Sequence, residues 1–211
     1  MSSVIGIMLM VLGIIGGYYW YEGNYFVTTE DAKVAGDMGK VSPQLTGRLL
    51  ELNVEEGQNL EKDQIIGRQE MGSLADSNLE QSVLRSPISG FVLKKQATPG
   101  ELVSTGQTLI MMVDPAKLYI NANIEETDLG KVKIGQKVEI SVDEFKGQNM
   151  YGKVASVGKA ANSAFSLLSG ATSGTFTKVV QRIPVKIVFD NQQNCHGLLL
   201  GTNAVVKIHI K

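Results

Sequence analysis

One stretch of this sequence occurs twice. Residues 41–67 (VSPQLTGRLLELNVEEGQNLEKDQIIG) and residues 85–110 (RSPISGFVLKKQATPGELVSTGQTLI) carry the same landmarks in the same order. Gly47 corresponds to Gly90, Gly57 to Gly100, Asp63 to Gly106 and Gln64 to Gln107, all at a spacing of 43. Leu49, Leu50 and Leu60 correspond in the same way to Val92, Leu93 and Val103. Each copy predicts a short strand after Ser-Pro and Gly, a glycine turn, and a second strand after a D-Q or G-Q turn. Two copies are too few for a solenoid, which needs at least three to bury its faces. A pseudo-twofold β-sandwich of about 70 residues, each copy covering the other, is the economical solution.

The front end of the chain obeys a different rule. Residues 1–21 contain no charged side chain, and Val4–Tyr21 (VIGIMLMVLGIIGGYYWY) is apolar, small or aromatic throughout. As a helix those residues span roughly 27 Å, close to the hydrocarbon thickness of a bilayer. Tyr18, Tyr19, Trp20, Tyr21, Tyr25 and Phe26 crowd one end of the segment, the pattern of an interfacial aromatic belt. A cleaved signal peptide would start with positive charge and end in small residues, whereas the first basic residue here is Lys33 and Gly16-Gly17-Tyr18 is a poor cleavage site. The expectation is a single membrane-spanning anchor over residues 1–24, with the chain beyond about residue 24 outside the cytoplasmic membrane.

From Leu118 onward the pattern alternates. Val138, Ile140 and Val142 interleave with Glu139, Ser141 and Asp143; Ile183, Val185, Ile187 and Phe189 repeat the period, as do Val206, Ile208 and Ile210. Turn residues fall at Gly135-Gln136, at Lys146–Asn149 and at Asp190-Asn191. Glu125–Leu129, stopped by Gly130, reads as one helical turn. Four or more strands with one helical turn predict a small closed β-barrel over 115–211. Residues 160–174 (AANSAFSLLSGATSG) break the alternation and read as a long loop carrying Phe165, Leu167 and Leu168. Those three either fold back onto the barrel or form an apolar patch for a partner, since loops of this length are often functional.

Several chemistries are excluded or disfavoured. With 20 Lys+Arg against 21 Asp+Glu, a net charge of −1 and no basic run, nothing supplies the clustered cations that nucleic acid requires. A single cysteine, Cys195, rules out an internal disulfide and multi-cysteine metal sites. Its neighbour His196 would point to the opposite face of a strand, so the two would not share a metal ion or form a catalytic pair. His209 lies between Lys207 and Lys211 on the expected wet face of the last strand and is expected to be solvated. No GxxxxGK[ST] pattern is present, so the chain does not drive transport by nucleotide hydrolysis. The expectation is a non-enzyme with no catalytic, cofactor-binding or metal residues.

The paired half-motifs resemble the biotinyl/lipoyl-like domain. Joined to a front anchor and a β-rich C-terminal region, they resemble the HlyD-type membrane fusion proteins, the adaptors of efflux and secretion pumps. VTTEDAKVAGDMGKVSPQLTGRL is similar to the lead-in to the lipoyl-like domain, LRSPISGFV to its second half, and LYINANIEETDLGKVKIGQKVEISVD to the first strands of the adjoining barrel. NSAFSLLSGATSGTFTKVVQRIPVKI and the terminal GTNAVVKIHI are most similar to the multidrug-resistance adaptors that serve major-facilitator pumps. The resemblance implies a mainly β chain: anchor 1–24, lipoyl-like domain 25–114, β-barrel 115–211. It also implies a partner exporter in the inner membrane, of major-facilitator type or alternatively ABC type, lipid contact through residues 4–21, and association of copies with one another. The exported compounds would be drugs and other small amphiphiles.

Two features depart from that family. Its adaptors usually insert a long α-helical hairpin between the half-motifs, whereas residues 71–84 (MGSLADSNLEQSVL) allow one helix of about 21 Å at most. A true lipoyl or biotinyl carrier presents a modified lysine between its half-motifs, and no lysine occurs between Lys62 and Lys94. A degenerate carrier domain and an anchored binding module that serves no pump are the competing readings.

Overall fold

A computed structural model describes residues 2–70, 80–145, 147–165, 180–190 and 197–210, without the side chains of residues 2–7, 9, 18, 19 and 165. Helix α1 (Ser2–Tyr25) passes directly into β1 (Phe26–Val41). There follow β2 (Gly47–Leu52), β3 (Asn59–Leu60), β4 (Ile65–Glu70), β5 (Val83–Arg85), β6 (Gly90–Lys95), β7 (Leu102–Val103) and the long β8 (Ile110–Glu125). A single turn α2 (Glu126–Leu129) leads to β9 (Lys137–Val142), β10 (Asn149–Val157), β11 (Arg182–Phe189) and β12 (Asn203–His209). The chain divides into two units, Gly36–Leu118 and Met1–Ala35 with Tyr119–Lys211.

The first unit is the repeat, built as a clasp. One sheet runs β5-β4-β2-β7, and β3, β6 and the start of β8 pair in the other. Equivalent hydrogen bonds recur with the copies exchanged. Gly57 N–H donates to Val92 O at 2.8 Å while Gly100 N–H donates to Leu49 O at 2.6 Å; Leu49 N–H reaches Glu101 O at 2.8 Å while Val92 N–H reaches Gln58 O at 2.9 Å. Strand β2 of the first copy takes β7 of the second, and β6 of the second takes β3 of the first. The core follows the same exchange, with Leu49, Leu60 and Ile66 buried beside their counterparts Val92, Val103 and Leu109. Neither copy has an interior without the other, because each half-sheet buries only one face.

The D-Q and G-Q turns have a mechanism. Asp63 (φ 64°) and Gly106 (φ 81°) both occupy the left-handed region, which asparagine, aspartate and glycine enter at least cost. The glutamine that follows turns back on its own loop: Gln64 Oε1 accepts from Glu61 N–H at 2.9 Å and Gln107 Oε1 from Ser104 N–H at 3.1 Å.

The second unit is a closed six-stranded barrel in the order β1-β12-β9-β10-β11-β8, closed by β1 on β8. The alternation read from sequence points where expected: Val138, Ile140, Val142, Ile183, Val185, Ile187, Phe189, Val206 and Ile208 are all buried. Helix α2 ends at Gly130 as the turn signal predicts. The sequence-based boundary at residue 25 needs correction, because Phe26–Lys33 pair with β12 and count with the barrel. A register shift between Thr29 and Ala32 interrupts the alternation of that strand, and its partner lies at the far end of the chain. Neither fact is visible in a local window.

Among the described residues no helix is long and apolar enough to cross a membrane. The backbone of α1 is a continuous helix of 24 residues with no acidic residue in its first turn and no basic residue in its last.

Candidate interaction surfaces

Three surfaces of the chain present groups that a partner could use. The first is the root of α1. No linker separates helix from barrel, and the last helical turn is tied to β12 by several contacts of different kinds. Ile210 N–H donates to Tyr25 O at 2.9 Å, and Lys207 Nζ meets Glu22 Oε1 at 3.0 Å. The same ammonium sits 4.2 Å from the centroid of Phe26, whose ring meets the edge of His209 at 4.7 Å. Tyr21 and Tyr25 stack at 4.5 Å. His209 is therefore not simply solvated, as expected from sequence: it is about two-thirds covered and its Nε2 lies 2.9 Å from Glu139 Oε1 on β9. Its place on the outer face of β12 was legible; the partner from β9 was not. Before its last turn, α1 exposes Met8, Met10, Leu12, Ile14 and Trp20, the last at 70%.

The second surface is the outer face of the sandwich. Leu50 and Leu102 are exposed there, with Arg48 opposite Leu102 in the β2–β7 register. Arg48 Nε donates to Gly100 O at 3.0 Å, which pins the arginine across the turn of the second copy. Lys95, the lysine of β6 that ends the repeat's strand, is committed to structure, since its Nζ donates to Leu52 O at 3.1 Å and Val54 O at 3.3 Å.

The third surface is the approach to the long loop. Phe165 closes the 3-10 turn Asn162–Phe165; Leu167 and Leu168 lie outside the described residues. The turn is held at its start, with Asn162 Nδ2 donating to Asn123 Oδ1 of β8 at 2.9 Å and Ser163 Oγ bonded to Gln181 Oε1. Beside it, a cleft of about 190 Å³ lies between β1 and β8, lined by Thr29, Asn123, Glu125, Asp128 and Arg182. Arg182 is also ion-paired with Asp31 of β1. With Arg182 about half exposed and Asp31 about a third, solvent screens this pair to no more than about 1 kcal/mol.

Most of the connection between the half-motifs, and Cys195-His196, also lie outside the described residues. The strands that flank the connection are antiparallel neighbours, Arg68 opposite Val83, so their ends close without any long insertion. Among the described residues no group of three His, Cys, Asp or Glu side chains is arranged to hold a metal ion.

Comparison with known proteins matches these units one by one. Residues 37–115 match the barrel-sandwich hybrid domain of RND membrane fusion proteins, and residues 117–209 match the AAEA-like beta-barrel domain. YhbJ of Bacillus subtilis, described as a candidate efflux system component, is 33% identical over 210 residues, covering 99% of this chain and 91% of its own. The multidrug export protein EmrA of Haemophilus influenzae is 37% identical over 136 residues, covering 63% of this chain. This chain spans only about a third of the length of that relative, 35%. In structure, ZneB from Cupriavidus metallidurans superposes with a TM-score of 0.63 at 19% identity, over 87% of this chain and 98% of that one. At that identity the likeness is one of fold.

Proposed function

Because the chain belongs to the membrane fusion proteins, the family of efflux-system adaptors, we propose that it acts by binding an exporter and not by catalysis. Helix α1 crosses the cytoplasmic membrane once, and the sandwich and barrel stand on its outer side. The helix holds both β-units beside the exporter, which raises their effective concentration at its outer face. The partner is a major-facilitator exporter, and drugs or other small amphiphiles are what it exports. Copies of the chain associate around it.

The observation that carries this reading is the full-length alignment with YhbJ, which runs through both β-units and the short connection between the half-motifs. That alignment takes up 91% of YhbJ, leaving it no room for a long helical hairpin either. On this reading the chain and YhbJ share a short adaptor form, suited to an envelope in which no distant outer channel has to be reached. The anchor is proposed from the sequence: the uncharged run of residues 1–21 includes positions 2–7, 9, 18 and 19, whose side chains lie outside the described ones, so the described residues alone do not make up an apolar span.

The role of the chain is tested in cells. Deletion of its gene is expected to raise accumulation of an amphiphilic dye, and re-expression of the full chain to reverse it. Unchanged accumulation for every dye and drug tried would favour an anchored module that serves no pump. Phe165, Leu167 and Leu168 are proposed as exporter contacts. Replacing all three by Ser is expected to lower recovery of the exporter with the chain while circular dichroism stays unchanged. Equal recovery would remove that assignment.

A further inference from the structure

The root of α1 holds a second feature that adaptor function does not call for. A cleft of about 290 Å³ opens there, lined by Gly23 and Asn24 of the helix end, by Gly130, Lys131 and Lys133 of the turn after α2, and by Ile210 after β12. The two glycines leave the space open. The lysine-bearing turn is braced on both sides by one side chain: Gln136 Oε1 accepts from Lys133 N–H at 2.8 Å, and Gln136 Nε2 donates to Lys131 O at 3.1 Å. Val132 is buried beneath it, Gly135 turns at φ 90°, and Gly135 N–H bonds to Val154 O at 2.8 Å. This short turn is therefore held in place, and what it presents is not accidental to a mobile loop.

Two kinds of group project from it. Ile134, which follows Lys133 in the same turn, is a large apolar side chain left 69% exposed. Lys131 Nζ meets Asp128 Oδ1 at 2.8 Å, and the nearby Glu22 is taken by Lys207. Lys133 has no carboxylate partner among the described residues, so the cleft keeps a net positive charge. An exposed apolar side chain in the same short turn as two lysines suits a lipid–water boundary, apolar group toward the acyl chains and ammonium toward phosphate. The cleft adjoins the last turn of α1, with the interfacial residues Trp20 and Tyr21 one turn away.

We infer that the cleft formed by Lys131, Lys133 and the end of α1 binds the phosphate of an anionic phospholipid, seating the barrel on the membrane surface. This rests on the reading of α1 as an anchor. The lipid phosphate orients the barrel relative to the bilayer in a way that a single helix, free to rotate and tilt, does not.

The test uses the full chain purified in detergent, with native mass spectrometry to count retained phosphatidylglycerol and phosphatidylcholine. The expected result is retention of phosphatidylglycerol over phosphatidylcholine. Lys131→Gln with Lys133→Gln is expected to lower that preference about fivefold or more. Circular dichroism of the double variant should match the parent, since both side chains are exposed. Equal retention of the two lipids by the parent, or an unchanged preference in the variant, would overturn the inference. Displacement of the bound lipid by inorganic phosphate would also overturn it, marking a site for the free anion. Alkaline extraction of membranes separates the two claims: release of the parent chain defeats the anchor itself, whereas a retained chain without lipid preference defeats only the cleft.

Discussion

Gly90→Val is expected to unfold the sandwich, the largest effect of any single substitution considered. A Cβ at Gly90 would stand 2.0 Å from Val113 O and 2.8 Å from its carbonyl carbon. Those atoms are backbone of β8, held in the β6–β8 ladder where Phe91 opposes Val113, so they do not yield as a side-chain end would. The φ of 153° adds strain for any L side chain. The combined cost is on the order of 3–5 kcal/mol, a large part of the stability of a small domain. For a unit of this size that lowers the melting temperature by roughly 12 °C or more. The repeat makes a companion prediction: a Cβ at Gly47 would stand 2.6 Å from Glu70 O of the neighbouring strand, so Gly47→Val should follow Gly90→Val in sign. Gly130→Ala is the control, because a Cβ there meets nothing within 4 Å and its φ is −60°. Thermal unfolding followed by circular dichroism checks all three. A Gly90→Val chain that melts with the control would contradict the clasped sandwich.

The second large effect concerns α1. Val11 and Leu12 lie at the middle of the uncharged run Val4–Tyr21. One arginine at the centre of a spanning helix costs roughly 2.5–3.5 kcal/mol on insertion scales. Val11→Arg with Leu12→Arg therefore shifts insertion by more than about a thousandfold. The double variant is expected in the supernatant after alkaline extraction, with the parent and Leu12→Ile in the membrane pellet. Both β-units should remain folded, because neither residue belongs to their cores. A double variant that stays in the pellet would remove α1 as the anchor.

How much of this was legible beforehand depended on the distance over which each signal acts. The repeat was readable because its determinants are local and doubled. A left-handed residue followed by a turn-capping glutamine leaves the same short pattern at residues 63–64 and 106–107. Barrel strands β9, β11 and β12 were readable because each buries one face along its whole length. The first half of β1 was not, since a bulge breaks its period and its partner is β12. The groups at the root of α1 escaped for the same reason. Glu22 and Lys207 meet across 185 positions, and His209 and Glu139 across 70, with no local pattern to announce either pair. Lys131 and Lys133 look like ordinary solvated charge in sequence; only the fold brings them to the helix end.

The claim on which the rest depends is that this chain works by holding an exporter. Detergent purification of the tagged full chain from its own membranes, followed by mass spectrometry, tests it most directly. The account predicts a polytopic transporter recovered with the chain and absent from a preparation carrying Val11→Arg and Leu12→Arg. Recovery of the chain alone, from membranes in which it remains anchored and folded, would contradict it.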